Sequence, residues 1–300
     1  AYQLLKTKKE ITVMKLDYYK EIPRGDDSTP GEAAYLHYFN KTFYNFNLKK
    51  HQPNMVAGTI LNLCLKKHIS LRMVDKEVYI KILTDGENLK GDELNIFKLL
   101  KKCKGKDDEF EISKLKSYAK TNYNEYEKAI QKFVNSARNS LYDLKLVDKN
   151  KEADYNRAGF ASTKSWFIKG ILIILLSIFV IGKIPMMDHA YITAFGISYS
   201  KTIINMVIVF APLILSILAK LNIQIKLQGK IAVLTEKGLE EQEQWKALVK
   251  YMKDFSNFEE KGVPELILWE KYLVYATALG IADEVIKQMK AKYPEAFVRE

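Results

Sequence analysis

Four histidines (His37, His51, His68 and His189) and two cysteines (Cys64 and Cys103) are the side chains in this chain best suited to ligate a metal or act as a nucleophile. Their spacing does not gather them. A helical zinc site brings two histidines to one face through an HExxH turn, and a closed site uses paired CxxC-type ligands. Neither pattern occurs. The stretch "CKGKDDEF", residues 103–110, comes nearest to a phosphate loop, yet it lacks the GxxxxGK[ST] spacing that turns backbone amides toward phosphates. A GxSxG elbow and a GxGxxG turn are missing too. The widely separated cysteines are expected to be free, partly buried thiols in a reducing compartment. The sequence thus offers no catalytic residue, no metal site, no cofactor site and no small-molecule substrate, and an enzyme is not expected.

What it does offer is a contact chemistry of aromatic rings. Near the C-terminus, "PELILWEKYLVYATALGIADEV" spans residues 264–285, and Trp269, Tyr272 and Tyr275 in it form the candidate interaction surface. Between Lys271 and Asp283 lie 11 uncharged residues. As a helix these rise about 16 Å, too short to cross a bilayer. Leu266, Trp269, Leu273, Ala276 and Gly280 fall on one stripe, and Leu268, Tyr272, Tyr275 and Leu279 on another. Two apolar stripes on one helix imply that it is clasped from both sides. One partner is "EEQEQWKALVKYMKDFSNF", where Trp245, Leu248, Met252 and Phe255 recur at spacings of three, four and three. Together the two predict an antiparallel αα-hairpin through a loop near 256–263. The second stripe is either simple core or a face for a membrane hairpin, for the N-terminal part or for another subunit.

The elements that position this surface begin with two apolar runs. "WFIKGILIILLSIFVIGKIPMM", Trp166 to Met187, carries only Lys169 and Lys183 near its ends, and Thr202 to Ala219 carries no charge. Twenty-two helical residues rise roughly 33 Å, against a hydrocarbon core of about 30 Å. Both runs are expected to be transmembrane helices, with Pro212 tolerated in a packed span. Lys149, Lys151, Arg157 and Lys164 precede the first run, and Lys220, Lys226 and Lys230 follow the second. The positive-inside rule then puts both flanks in the cytoplasm and the intervening loop outside, so both termini are expected to be cytoplasmic. Within the runs Ser177, Asn205 and Ser216 are the polar residues, and no intramembrane carboxylate or arginine marks an ion path. A transporter or channel would need oligomerisation.

The net charge is +11, and it is uneven. Residues 1–164 hold 31 Lys and Arg against 22 Asp and Glu, whereas residues 220–300 hold 13 of each. The excess belongs to the N-terminal part, so nucleic acid, anionic lipid or an acidic protein must be weighed as partners. In that part "STPGEAAYLHYF" starts a helix with Ser28 or Thr29 as N-cap and Pro30 in the first turn. "PNMVAGTILNLCLKKH" predicts a second helix from Pro53. Alternation of Ile69, Leu71 and Met73, then of Val78, Ile80 and Ile82, predicts a β-hairpin. Further on come a helix around 92–103, a short strand at "EFEI", and helices through residue 144. Helix, helix, hairpin is a winged-helix-like order. As a DNA reader it is poorly equipped: Asn54, Thr59, Asn62 and Lys66 include no arginine for a bidentate guanine contact.

The segments "LTEKGLEEQEQWKALVKYMKDFSNFEE" and "LILWEKYLVYATALGIADEV", with "YYKEIPRGDDSTPGEAAYL" (18–36) and "GTILNLCLKKHISL" (58–71), resemble the YciQ-like predicted bacterial membrane proteins, a domain of unknown function. The resemblance implies an upstream extracytoplasmic β-rich domain and span, and the start at Ala1 without Met fits a trimmed chain. It brings no catalytic residues. The expected fold is mostly α with small β-hairpins. It comprises a cytoplasmic winged-helix-like region (1–160), a transmembrane hairpin (165–220, spans about 166–187 and 202–219) and a C-terminal cytoplasmic helical domain (221–300). The expected function is a non-catalytic scaffold or signalling component at the inner face of a bacterial cell membrane. Its partners would be the lipid bilayer and membrane proteins, cytoplasmic proteins or its own copies. The alternative is a membrane-tethered DNA-binding regulator.

Overall fold

The structure is a computed structural model. It describes residues 13–39, 44–75, 77–107, 109–154, 233–255 and 266–292, with short pieces between 170 and 218. The chain divides into two units, one of Ala1–Glu10 with Lys149–Val233, the other of Ile11–Asp148 with Leu234–Glu300.

The second unit is built on helices. Helix α1 (Pro30–His37) starts at Thr29, whose hydroxyl accepts the Glu32 N–H at 3.2 Å while the Glu32 carboxylate accepts the Thr29 N–H at 3.4 Å. This reciprocal cap satisfies two donors that a helix start otherwise leaves bare. Helix α2 runs Tyr44–Leu65 with Pro53 inside it, so it begins about two turns before the proline from which the sequence predicts it. Burial of Met55, Val56, Thr59, Ile60 and Leu63 along one face offsets the hydrogen bond that Pro53 cannot make.

Strands β1 (Ile69–Val74) and β2 (Glu77–Ile82) form the predicted antiparallel hairpin, with Leu71 opposite Ile80. Strand β3 (Glu109–Glu111) adds to β2, with Phe110 opposite Ile80. Ile69, Ile80 and Phe110 point to one buried face, as a period of two requires. Between the hairpin and β3 lies α3 (Gly91–Lys104); after β3 come α4 (Ser113–Thr121) and α5 (Tyr123–Asp143). Phe97 and Leu100 of α3 and Phe133 and Ala137 of α5 are fully buried where the two helices pack.

The chain returns with α6 (Glu236–Asp254), α7 (Leu266–Ala278) and α8 (Ala282–Lys292). Gly280, at φ +70°, separates α7 from α8, and the Ile281 N–H bonds the Ala276 carbonyl at 2.8 Å. Only glycine takes this left-handed C-terminal position without cost. The rings of Trp245, Tyr251 and Phe255 on α6 meet those of Tyr275, Tyr272 and Trp269 on α7 at 5.1, 6.3 and 4.4 Å, so the helices run antiparallel. The main neighbour of α7 is α2, where a Cβ on Gly58 would lie 2.6 Å from that of Ala278. In the first unit, β4 (Ile192–Ala194) and β5 (Ile197–Tyr199) pair antiparallel.

Two expectations are corrected. No helix among the described residues is long and apolar enough to cross a membrane, so the expected two-helix transmembrane hairpin is not supported. Most of both runs lies outside the described residues, as does the loop near 256–263. The winged helix is also replaced. Its second helix, α2, is packed against α7, with Thr59 fully buried and Asn62 only 6% exposed, so two of the four candidate base-reading residues are turned into the fold. What stands is a mostly helical fold with one three-stranded sheet.

Candidate functional site

The densest group of chemistry-bearing side chains surrounds the segment 18–29. This stretch lacks regular structure apart from a 3-10 turn at Gly25–Asp27, so its polar backbone needs partners from outside. The Tyr272 hydroxyl donates to the Lys20 carbonyl, and the Tyr275 hydroxyl donates to the Ser28 carbonyl at 2.9 Å. The Ser28 hydroxyl closes on the Pro23 carbonyl, and Lys271 holds Asp26 at 2.5 Å. Burial pushes the Tyr275 phenol well above its ordinary value, so it stays a donor.

Arg24 is the centre. Its backbone sits at φ 60°, a left-handed conformation that costs a non-glycine residue about 1–2 kcal/mol. From there its guanidinium reaches inward, donating through Nε to Glu241 at 2.9 Å and through a terminal nitrogen to Glu32 at 2.8 Å. Glu32 is 1% exposed, and it also accepts from the Ser140 hydroxyl. Burial opposes the charge on Arg24, but Glu32 and Glu241 outweigh it and hold its pKa above the ordinary value. One guanidinium therefore ties the segment to α1 and α6, and Glu32 carries the tie to α5.

Two further carboxylates open α3. Glu93 accepts from Asn62 and Lys66 of α2, both at 2.6 Å. Asp92, 3% exposed, accepts from the Thr29 hydroxyl at 2.5 Å and from the Glu93 backbone N–H. Burial pushes its carboxyl up to about 7; the Thr29 bond works against this, and Glu32 and Glu93 add to it. The charge count agrees. Arg24 and Lys66 face Glu32, Glu241, Glu93 and Asp92, and Asp92 is the one carboxyl with no cation among the described contacts.

The candidate interaction residues lie inside the fold. Trp269 is 4%, Tyr272 1% and Tyr275 5% exposed; their rings meet those of Phe255, Tyr251 and Trp245 edge-on or tilted, and the two tyrosines bond segment 18–29. Among the histidines, His37 is lowered to about 4, by burial first and then by Lys246, His51 and Lys253. The His51 ring stacks on Tyr38 at 3.7 Å, and His68 bonds Thr84 at 2.7 Å; His189 lies outside the described residues. Cys64 and Cys103 are both free thiols, and burial pushes Cys103 up to about 11. Among the described residues no group of three or more metal-ligating side chains comes together.

Sequence reasoning missed Arg24, Glu32, Asp92, Glu93 and Glu241 as a group. Asp92 and Glu93 read as ordinary first-turn acids that suit the helix dipole. Arg24 reads as part of a turn, and Glu241 as one acid in the solvated-looking "EEQEQ". The available signal was a carboxylate in the first turn of α1 and of α3, each beside otherwise apolar buried positions.

Neither the curated proteins nor the solved structures contain a match to this chain. One family profile matches residues 15–289, which takes in both the Arg24 segment and α7. By that match the chain belongs to the family described as predicted membrane protein (DUF2207), C-terminal domain.

Proposed function

We propose that this protein is a non-catalytic scaffold or interaction component of a bacterial membrane, of the YciQ-like branch of its family, working at the inner face. The observation that carries this reading is the use made of its reactive side chains. Arg24, Glu32, Asp92, Glu93 and Glu241 bond one another and neighbouring helices, and the tyrosines of α7 bond the backbone of segment 18–29. Side chains so engaged serve internal ties between segments of the fold, which supports a structural use of them. Membership of a membrane-protein family supports the location.

The test is mild cross-linking in native membranes, followed by solubilisation and mass measurement of the full chain. A defined homo-oligomer or one stoichiometric partner is expected. A monomer with nothing attached, at cross-linking yields that capture known neighbours, contradicts the proposal.

A further inference from the structure

The surplus of positive charge has a definite place. Helices α3 and α5 run antiparallel, as Asn95 with Ser136 at 2.8 Å and Lys102 with Glu125 at 3.1 Å show. That pairing sets Lys98 and Lys102 of α3 beside Lys132 and Lys128 of α5, each one turn apart on its own helix. All four are exposed. Glu125 lies among them, already engaged by Lys102 and by the Tyr118 hydroxyl at 2.7 Å, and half-buried Glu127 precedes Lys128. From Lys98 to Lys104 α3 has four lysines and no acid, and from Lys128 to Tyr142 α5 has none either. The exposed positions between the lysines, Gln131 and Asn135, are amides. A solvated surface of ordinary composition intersperses both signs. Here lysines and amide donors run together, and this donor set suits phosphate oxygens. Tyr123, 61% exposed at the start of α5, adds a ring of the amphipathic kind that settles at headgroup depth.

We propose that the lysine-rich face of α3 and α5 docks on the anionic phospholipid headgroups of a bilayer. This rests on the membrane location proposed above and names the partner of one surface. Nucleic acid offers phosphates too, but the face carries no arginine at Lys98, Lys102, Lys128 or Lys132 for reading bases, and the family is one of membrane proteins. Each lysine near an anionic surface contributes about five-fold to its binding constant, and the contribution is screened by salt.

The experiment uses the full chain reconstituted into nanodiscs of phosphatidylcholine alone or with about one third phosphatidylglycerol. A fluorophore sits at Asn135→Cys, and an acceptor is carried on lipid headgroups. Energy transfer is expected to rise in the anionic discs and to fall back in about 0.5 M salt. It should also fall back in K98Q/K102Q/K128Q/K132Q, and the four-arginine variant should restore it. An unchanged melting curve for the glutamine variant shows that folding is intact. Equal transfer in both disc types at low salt overturns the proposal. So does duplex DNA binding the face while anionic discs leave the signal unchanged. Either failure leaves the cross-linking result standing, so loss of this inference is separable from loss of the scaffold reading.

Discussion

Arg24 adopts a backbone conformation that few non-glycine residues tolerate, and its two carboxylate partners account for it. Removing the guanidinium leaves Glu32 and Glu241 buried without a cation. Arg24→Met is therefore expected to destabilise the fold by about 3 kcal/mol, read as a lower urea midpoint with an unchanged slope. Asp92 and His37 make a paired prediction on pH. A carboxyl raised to about 7 when folded, against about 4 unfolded, binds its proton more tightly in the native state. Its stabilisation is full below pH 4 and is lost as pH climbs to 7. A histidine lowered to about 4 works the other way: the unfolded chain takes the proton between pH 4 and 6.5, so its share of stability rises with pH. Over that interval the two slopes oppose one another. Asp92→Asn is expected to expose the rising slope and His37→Gln the falling one, in melting temperatures taken from pH 4.5 to 7. Parallel profiles for both variants would contradict the assignment.

At the scale of elements, α7 is the keystone, held by α2 on one side and α6 on another. Trp269→Ala is expected to cost about 3–5 kcal/mol, since the indole fills the corner between Phe255 and Tyr272. At Gly58 a methyl group would press on the Cβ and backbone of Ala278. Gly58→Ala is expected to cost about 2 kcal/mol and to lower the melting temperature, whereas Gly91→Ala, whose nearest contact is 3.5 Å, should be tolerated far better. These elements were legible from the sequence where the pattern is local. The hairpin showed in the alternation of Ile69 to Ile82, α1 in its capping residues, and the clasp on α7 in its two stripes. What escaped was long-range. Pro53 hid two turns of α2, because a proline's local cost says nothing of the burial that outweighs it. The apolar stripe of α7 read as either core or surface, since periodicity cannot say whether the covering helix belongs to the same chain. The carboxylates around Arg24 lie on three helices far apart in sequence, and no spacing rule joins them.

On the scale of the molecule, the larger unit is one fold made from two stretches of chain, closed where they meet. Val147 bridges to Leu234, the Thr235 hydroxyl donates to the Lys145 carbonyl at 2.7 Å, and a Cβ on Gly238 would collide with the Leu146 oxygen. The 85 residues from 149 to 233 are thus inserted at a single tight seam. This seam agrees with the use of Arg24 and its carboxylates as internal ties. The most direct measurement is urea unfolding of the full-length Arg24→Met variant beside the wild type, together with the mass of its cross-linked assembly below the unfolding transition. A lower midpoint with the same assembly is the predicted result. An unchanged midpoint with the assembly lost would contradict it, because Arg24 would then serve a partner and not the fold.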